Sequence, residues 1–444
     1  MNKESHKKQN FFSFSDIDSE RKDRIMKFTS TEATPAPHVP PGVLRLTGAA
    51  KEDIPMYRIQ TMNKISPVGL NRFPSELYEV GDAVQDPQGI LVRSAKLLDL
   101  EFNPGLLAIA RAGVGVNNIP LDRCAAAGIP VFSTPGANAN AVKELVICAM
   151  LMGSRDIPGA IRWVREQAAS GVDVSTVVEK GKSAFIGPEL YKKTLGIIGL
   201  GAIGSIVANT AISLGMDVYG YDPFLSVDTA LRLDRHVHVV KDINDLYKRS
   251  DYITMHIHYT EKTAHMIDAD AIAAMKRGVR VINLARGEIV DDEAMLTALD
   301  TGMVAAYITD FPNNRLLTAP HVIAMPHLGA STPESEQNCA AMAVDTLRDY
   351  LESGNIRSSV NLPEMTMDRS GVQRLCVLHK NVPGMLANIT SLFGRDGVNV
   401  ENLSNKSRGD YAYTMVDLGS KVGDNVIEDV RRTANVIRVR SLEW

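Results

Sequence analysis

Short apolar stretches alternate along this chain with longer segments in which apolar residues recur at helical spacing. Residues 89–93, 107–111, 252–256 and 279–283 have strand-like composition, and segments of helical pattern lie between them. Alternation of strands and helices predicts an α/β fold with parallel sheets. We therefore expect two doubly wound, Rossmann-like parallel-sheet domains before about residue 351.

The last part of the chain, 372–444, follows a different pattern. Its predicted elements are a strand at 372–379, a helix at 383–394, strands at 398–406 and 411–418 around a turn at 408–410, a helix at 424–434 and a strand at 435–441. The order βαββαβ is that of a ferredoxin-like domain. We therefore expect a third, smaller domain here.

A glycine-rich turn joins a predicted strand to a predicted helix in the middle of the chain. The sequence GIIGLGAIG places Gly199, Gly201 and Gly204 in this turn, and Asp222 follows at the end of the next strand. The glycines allow a tight turn, close approach of the backbone to a pyrophosphate and packing of the helix on the strand. The carboxylate of Asp222 can accept hydrogen bonds from both ribose hydroxyls of NAD and would repel the 2′-phosphate of NADP. The sequence therefore predicts NAD binding, with a glycine-rich turn of some other α/β protein as the alternative.

The same patterns set the domain boundaries. Residues 1–55 are polar, charged and proline-containing, and are expected to be a disordered extension. Residues 56–153 and 328–351 are assigned to a substrate-binding domain, and 154–327 to the NAD-binding domain. A linker at 352–371 leads to the C-terminal domain at 372–444. The polar stretch at 168–187 is expected to be a loop.

Composition narrows the function classes. The 444 residues are 45% apolar and 23% charged with a net charge of −4, which is ordinary for a globular protein and gives no reason to expect nucleic acid as a partner. No apolar stretch reaches the length of a membrane span and the first residues lack an apolar signal core, so a cytoplasmic protein is expected. The four cysteines are scattered without metal-ligand spacing, so we expect neither a metal site nor a disulfide framework.

Two polar residues follow apolar strands of the NAD-binding domain, at the edge where α/β sheets bind ligands. Oxidation of a 2-hydroxy acid needs a cation for the carboxylate and an acid/base group for the hydroxyl. Arg286 is the candidate cation and His327 the candidate acid/base. The alternatives are a structural ion pair for Arg286 and a core or helix-capping position for His327.

Longer motifs match a known family. The chain resembles the D-2-hydroxyacid dehydrogenases over about residues 57–345, most closely those of the phosphoglycerate dehydrogenase type with a C-terminal ACT domain. The matching stretches are ILVRS at 90–94, ARAGVGVNNI at 110–119, TPGANANAV at 134–142, the glycine fingerprint, NLARG at 283–287 and PHLGAST at 326–332. The resemblance implies NAD-dependent oxidation of 3-phospho-D-glycerate to 3-phosphohydroxypyruvate, the first step of L-serine biosynthesis. Dehydrogenases of the glycerate or lactate type and a non-catalytic, NAD-sensing corepressor stay open as alternatives.

The resemblance also implies roles for individual residues. Arg286 and His327 match the catalytic pair of the family. The residues that match its substrate contacts, at the carboxylate or phosphate end, are Arg93, Ser94, Gly113, Val114 and Gly115. The expected cofactor contacts are Gly199, Gly201, Ala202, Ile203, Gly204, Asp222, His256, Leu284, Ala285, Asp310 and Gly329.

One catalytic group of the family is missing. The family usually carries a glutamate that hydrogen-bonds the catalytic histidine, whereas the corresponding stretch ITDFPNN at 308–314 contains none. If Phe311 and Pro312 fix the alignment, Asn314 takes its place and can orient the imidazole without stabilising its positive charge. We then expect activity to extend to lower pH than in a glutamate-supported site. Asp310 and Glu288 are the alternative partners.

The C-terminal domain resembles an ACT domain, a small-molecule sensor found on enzymes of amino-acid biosynthesis. His379, Asn381 and Asn399 match positions that bind serine in such domains, so the resemblance implies L-serine as an effector. The alternatives are a helix-capping role for Asn381, a turn role for Asn399 and a dimerisation module without a ligand. A homo-oligomer, either dimer or tetramer, is expected.

Overall fold

The structure is a computed structural model that describes residues 56–444, so the predicted extension at 1–55 lies outside it. Its first part contains β1 (Tyr57–Met62), α1 (Pro67–Leu70), β2 (Tyr78–Gly81), β3 (Gly89–Val92), β4 (Ala108–Arg111), α2 (Leu121–Ala126) and β5 (Val131–Phe132). The five strands form a parallel sheet in the order β2-β1-β3-β4-β5. Strand β3 is buried at every position, as is typical of parallel strands covered on both faces.

A second parallel sheet follows. Its strands are β6 (Thr194–Ile198), β7 (Asp217–Tyr221), β8 (Val237–Val240), β9 (Tyr252–Met255), β10 (Val279–Asn283), β11 (Val304–Thr309) and β12 (Val322–Ala324). The helices of this part are α3 (Ala139–Arg155), α4 (Ile157–Ala169), α5 (Val174–Gly181), α6 (Ala202–Ser213), α7 (Val227–Ala230), α8 (Ile243–Arg249), α9 (Ala269–Ala273) and α10 (Asp292–Asp300). The strand order is β12-β11-β10-β9-β6-β7-β8, so the order changes direction between β6 and β9. Such a switch point opens a crevice at the carboxyl ends of the strands, and the glycine-rich turn after β6 lies at this point.

Helix α3 packs on the second sheet. Its apolar face, which includes Val142, Val146 and Met150, shares one core with Leu195 and Ile197 of β6. The domain boundary predicted after residue 153 assigns most of this helix to the substrate-binding domain, whereas the buried face of the helix packs on the NAD-binding sheet. Apolar periodicity alone marks the buried face of a helix but does not say which sheet covers it.

The stretch at 168–187 is not a loop, so this prediction is wrong. Helix α5 and a 3₁₀ turn at Lys182–Phe185 occupy most of it. The side chain of Asp173 caps α5 by accepting a hydrogen bond from the backbone N–H of Ser175. Helix α5 has no buried residue, and its stability therefore rests on capping and local packing that the apolar pattern does not report.

The remaining elements return to the first sheet and then form the third domain. They are α11 (Pro333–Ser353), β13 (Gln373–Lys380), α12 (Met385–Arg395), β14 (Val400–Arg408), β15 (Tyr411–Leu418), α13 (Asp424–Arg432) and β16 (Val436–Glu443). Strands β13 to β16 form an antiparallel sheet in the order β14-β15-β13-β16, so the predicted βαββαβ arrangement and fold class are confirmed. Helix α12 begins two residues later than predicted because Gly384 adopts a left-handed conformation with φ 85°.

The third sheet packs on the first domain. One face of it, with Cys376, Leu378 and Tyr413, belongs to the same core as Phe132 and Leu347 of the first domain. The connecting segment at 352–371 is part of this core as well. Its buried apolar residues are Ile356, Leu362, Met365 and Met367. The C-terminal domain is therefore joined to the first domain by packing as well as by the chain.

Arginines of the C-terminal region hold the end of α11. The last carbonyls of a helix have no partner inside the helix, and cations are favoured beside them. The pairs are Arg440 with Tyr350 at 3.0 Å and Leu351 at 2.8 Å, Arg369 with Glu352 at 2.9 Å, and Arg374 with Ser353 at 2.9 Å. Arg374 also forms a fully buried, two-point ion pair with Asp417, at 2.6 and 2.7 Å.

The described residues contain no membrane-spanning helix and no metal-binding cluster. Within 56–444, no helix combines the length and the apolar character that crossing a membrane requires. No group of three or more His, Cys, Asp or Glu side chains is placed to hold a metal ion in this part of the chain. All four cysteines lie in it and are free thiols.

Candidate active site

The glycine-rich turn leaves room for an anion at the start of α6. A Cβ on Gly204 would lie 1.9 Å from the carbonyl oxygen of Gly199, and Gly199 itself has φ 89°, so both positions require glycine. A Cβ on Gly201 would meet nothing within 4 Å. Gly201 is the N-cap of α6 and provides no side-chain cap, so the first backbone N–H groups, which include those of Ala202 and Ile203, face this open space. Such a helix start suits a pyrophosphate.

Asp222 is fixed beside this turn. Its Oδ2 accepts a hydrogen bond of 2.9 Å from the backbone N–H of Leu200, and its Oδ1 accepts one of 2.9 Å from Phe224. Each oxygen keeps a lone pair for a ribose hydroxyl. Burial lowers the pKa of His256, at the end of β9, to about 4, so this imidazole is neutral at pH 7. The residues present therefore fit a dinucleotide with an unphosphorylated ribose.

Asn283, which the sequence analysis did not single out, shapes the turn that carries Arg286. It is fully buried at the end of β10, where its Nδ2 donates to the carbonyl of Arg286 at 2.8 Å and its Oδ1 accepts from the N–H of Ala285 at 3.1 Å. Leu284 and Ala285 between them are buried. The turn directs the Arg286 guanidinium toward the loop at 113–115, where its Nη2 lies 3.0 Å from the place of a Cβ on Gly115.

A second arginine lies against the same loop. Arg111 ends β4, donates from Nε to the carbonyl of Arg93 at 3.0 Å, and places Nη1 2.6 Å from the place of a Cβ on Gly113. Burial lowers the pKa of Arg111, and the charges of Arg286 and Arg93 act in the same direction. Sequence reasoning gave Arg111 no role, although it ends an apolar parallel strand just as Arg93 follows the neighbouring one. We define Arg93, Arg111 and Arg286 as the arginine cluster.

Arg93 is engaged by a carboxylate. Its Nη2 lies 2.6 Å from Oε1 of Glu336 in the first turn of α11, and both side chains are about two-fifths exposed, at 40% and 43%. Arg111 and Arg286 have no acidic partner within 4 Å among residues 56–444. Ser94 next to Arg93 is exposed, and its backbone N–H donates to Asn63 at 3.0 Å.

His327 and Arg286 both lie against the ring of Phe311. The imidazole packs at 4.7 Å from the ring of Phe311, and the Arg286 guanidinium lies 5.8 Å from the same ring. The structure therefore brings together the two residues that the sequence analysis proposed as a catalytic pair. His327 is exposed, as expected for a group that meets substrate in a cleft.

Asp310 directly follows β11 and lies near His327 and Gly329. It is 1% exposed, its Oδ2 accepts from the N–H of Gly329 at 3.2 Å, and its Oδ1 is buried with no hydrogen-bond partner in the described residues. Burial raises the pKa of Asp310, and the charge of His327 opposes this rise. A buried acceptor without a partner beside a reactive pair suits an amide donor from a ligand.

The three candidate partners of the histidine differ in placement. Asn314 is exposed, and its side chain forms no hydrogen bond with any described residue; Glu288 is exposed too. Asp310 is the candidate on which the charge of His327 acts, lowering its pKa against the effect of burial. In this arrangement, Asn314 therefore does not take the place of the family's glutamate as the hydrogen-bond partner of the histidine.

The structure does not bring the three predicted effector residues together. His379 and Asn381 lie at the end of the third sheet where β13 finishes, beside Asp410 and Ala412, whereas Asn399 precedes β14 at the opposite end, beside Gly419. His379 is buried, with Nδ1 2.8 Å from the carbonyl of Lys380 and Nε2 2.9 Å from Oγ1 of Thr414. Asn381 donates to the carbonyl of Gly409 at 3.1 Å, so the helix-capping role is wrong for it. Asn399 donates to Glu401 at 2.9 Å.

Comparisons with known proteins agree with this geometry. Residues 147–329 match the family described as "D-isomer specific 2-hydroxyacid dehydrogenase, NAD binding domain". A D-3-phosphoglycerate dehydrogenase of Synechocystis is 36% identical over 71% of this chain and 56% of its own length. One from Haemophilus influenzae is 31% identical over 82% of this chain and 88% of its own length.

A solved structure, an NAD⁺-bound 3-phosphoglycerate dehydrogenase of Entamoeba histolytica, is 26% identical with a TM-score of 0.54, and the match covers 69% of this chain and 99% of that one. The chain spans only 55 to 60% of the length of several curated relatives, including the one from Synechocystis. The chain that has these similarities also contains the arginine cluster, His327 and the glycine-rich turn. The chain belongs to the D-isomer specific 2-hydroxyacid dehydrogenase family, and residues 147–329 carry its NAD-binding domain.

Proposed function

We propose that this protein oxidises 3-phospho-D-glycerate to 3-phosphohydroxypyruvate with NAD, the first step of L-serine biosynthesis. The observation that carries the proposal is the placement of Arg286 and His327 on one ring, that of Phe311, beside the glycine loop at 113–115. An anion-binding guanidinium and a proton-transferring imidazole held near each other are what oxidation of a 2-hydroxy acid needs.

The chemistry divides among few residues. Bound NAD supplies the acceptor for the hydride that leaves C2 of the substrate. Arg286 holds the substrate carboxylate and the oxygen on C2, and the backbone N–H groups of Val114 and Gly115 hold the carboxylate from the other side. The N–H of Gly113, also expected among the substrate contacts, instead donates to the carbonyl of Arg111 at 2.9 Å. His327 accepts the hydroxyl proton as C2 becomes a carbonyl carbon, and returns it in the reverse reaction.

Cofactor contacts divide by position along the sheet. The N–H groups at the start of α6 hold the pyrophosphate, and Asp222 holds the ribose. The free Oδ1 of Asp310 accepts from the nicotinamide amide. Leu284, Ala285 and Gly329 line the same end of the site, and neutral His256 lies beside the glycine turn.

The phosphate of the substrate is assigned to the far side of the arginine cluster, where Arg93, Ser94 and Arg111 lie. The negative charge of the phosphate suits a site in which positively charged arginines lie close together. The similar proteins of Synechocystis and Haemophilus influenzae are D-3-phosphoglycerate dehydrogenases, which supports this substrate. A glycerate- or lactate-type dehydrogenase would make less use of Arg93.

Keto-acid reduction tests the proposal. NADH oxidation is followed with phosphohydroxypyruvate, hydroxypyruvate, pyruvate and 2-oxoglutarate, beside the variants His327→Gln and Arg286→Gln. We expect the highest kcat/KM with phosphohydroxypyruvate and losses of at least about 100-fold in both variants. Turnover of none of the four acids by the parent would refute the enzymatic role and favour the NAD-sensing corepressor.

Regulation by L-serine is a second part of the proposal. The side-chain amide of Asn381 lies at one end of the third sheet with His379, and it has a donor and an acceptor that suit an amino acid. Asn399 lies at the other end of this sheet, so it would belong to a separate contact. Serine should inhibit the parent, and inhibition should disappear in Asn381→Ala with catalysis kept.

The same proposal includes the assembly and the location of the protein. The exposed edge strand β14 would join copies of the chain into a homo-oligomer. A cytoplasmic location suits the four free thiols.

A further inference from the structure

Glu336 is the carboxylate that pairs with the arginine cluster. It lies in the first turn of α11, whose N-cap is Thr332, and its Oε1 is 2.6 Å from Nη2 of Arg93. The nearby Glu334 occupies the same helical turn, is exposed and has no ion-pair partner in residues 56–444. Helix α11 therefore presents two carboxylates, of which one is joined to the site.

This pairing changes the charge that a substrate meets. Arg93 is the outer member of the cluster, on the side assigned to the phosphate of the substrate. A phosphate that takes the Nη2 edge of Arg93 must displace the carboxylate of Glu336, because both cannot accept from the same N–H groups at hydrogen-bond distance. A substrate with an uncharged end, such as D-glycerate, has no group that competes for Arg93.

We propose that Glu336 is a specificity-determining residue, which competes with the terminal anion of the substrate for Arg93. This inference rests on the proposed function, since it concerns the phosphate end of that same site. Glu336 keeps Arg93 in position while the site is free, and gives way only to a ligand with more negative charge than its own carboxylate. It thereby lowers the affinity for phosphorylated substrates without changing the affinity for unphosphorylated ones.

Binding of two ligands that differ in the phosphate tests the proposal. The dissociation constants of D-3-phosphoglycerate and D-glycerate are measured by calorimetry on the full chain with NAD present, for the parent, Glu336→Gln and Glu334→Gln. An exposed ion pair contributes on the order of 0.2–1 kcal/mol. We expect Glu336→Gln to bind D-3-phosphoglycerate about two- to fivefold more tightly, with D-glycerate unchanged. Glu334→Gln should bind both ligands as the parent does.

Salt provides a readout that a purely structural role would not change. Competition between charges is screened by ions, so the advantage of Glu336→Gln should shrink between 0.05 M and 0.5 M sodium chloride. Unchanged or weaker binding of D-3-phosphoglycerate by Glu336→Gln would overturn the proposal. Equal tightening of both ligands, equal tightening by Glu334→Gln, or no binding of D-3-phosphoglycerate to any of the three proteins would overturn it too.

Turnover separates this inference from the proposed function. If the parent reduces no keto acid but Glu336→Gln still tightens D-3-phosphoglycerate selectively, the role of Glu336 stands and the catalytic proposal fails. If the parent is active and its preference for phosphohydroxypyruvate over hydroxypyruvate is the same in Glu336→Gln, the inference fails and the catalytic proposal stands.

Discussion

Replacing Arg374 by methionine should loosen the C-terminal domain from the end of α11. Arg374 and Asp417 are both fully buried, and their two-point contact has distances of 2.6 and 2.7 Å. The same guanidinium donates to the carbonyls of Ser353, Met367 and Asp368 at 2.9 to 3.0 Å. The change therefore leaves a buried carboxylate without its cation and three carbonyls without a donor.

The magnitude follows from this geometry. Removing one partner of a buried ion pair typically costs about 3–5 kcal/mol, because the remaining charge stays buried. Asp417 keeps two hydrogen bonds from Ser370, at 2.9 and 3.0 Å, which places the cost nearer 3 kcal/mol. The double variant Arg374→Met/Asp417→Leu removes both charges and should recover about 2 kcal/mol, a coupling within the range found for residues in contact.

Tryptophan fluorescence gives a local measurement. The chain has two tryptophans, and Trp444 lies 5.2 Å from the Arg374 guanidinium and donates to the carbonyl of Gly371. In a Trp163→Phe background, urea unfolding followed at Trp444 reports the C-terminal domain. Comparing midpoints rather than intensities avoids the direct effect of the substitution on the indole.

The double variant supplies the decisive comparison. If Arg374→Met costs less than about 1 kcal/mol, the ion pair does not hold the domain and the reasoning from burial is refuted. If the double variant is as unstable as the sum of both single variants, the two side chains are not coupled. The exposed pair Arg72 with Asp345, 46% exposed on both sides, is the control and should change stability by less than about 1 kcal/mol.

Three further predictions concern the candidate site. Asp310→Asn should move the alkaline limb of the pH–rate profile for keto-acid reduction to lower pH, because protonated His327 is the proton donor in that direction and its charge interaction with Asp310 is lost. The pKa of His256 is about 4 in the folded protein and about 6.5 in the unfolded chain, so the unfolded chain binds the proton first and the free energy of unfolding falls as the pH drops between these values. His256→Asn removes this titration, and the variant should therefore lose about 2 kcal/mol less stability than the parent on acidification to pH 5. Gly201→Ala should lower NADH affinity with the melting temperature kept, whereas Gly204→Ala should lower both, because its Cβ would meet backbone at 1.9 Å.

Each prediction has an outcome that contradicts it. An unshifted profile in Asp310→Asn, with Asn314→Ala shifting instead, would assign the role of histidine partner to the amide. Equal pH slopes of stability for His256→Asn and for the exposed control His258→Asn would remove the burial argument. Normal NADH fluorescence quenching by Gly201→Ala would show that the pyrophosphate lies elsewhere.

Local signals were enough to predict much of the site. The glycine fingerprint and Asp222 follow from steric and hydrogen-bonding needs that a few neighbouring residues fulfil. Arg286 and His327 could be proposed from their positions after apolar strands, since parallel strands align their carboxyl ends at one edge. Arg111 meets the same criterion, but the glycines that follow it indicate backbone contacts and give no signal for the placement of its guanidinium.

Long-range packing was harder to predict. That the third sheet covers the end of α11 depends on contacts between residues far apart in the chain, such as Arg440 with Tyr350. One signal for it was present in β13, where Leu375, Cys376, Val377 and Leu378 are apolar in succession. Such a run indicates burial on both faces of a strand, whereas a free ferredoxin-like sheet would alternate.

Helix α11 is anchored at both ends, and this constrains its length. Its first turn meets Arg93 through Glu336, and its last carbonyls meet Arg440. One inserted residue would turn one end relative to the other by about 100° and move it by about 1.5 Å, which breaks one of the two anchors. Seven inserted residues would restore the direction of both ends but separate them by about 10 Å. An insertion or deletion between 337 and 349 therefore costs one of these two contacts, whereas a substitution at an exposed position of the same segment keeps both.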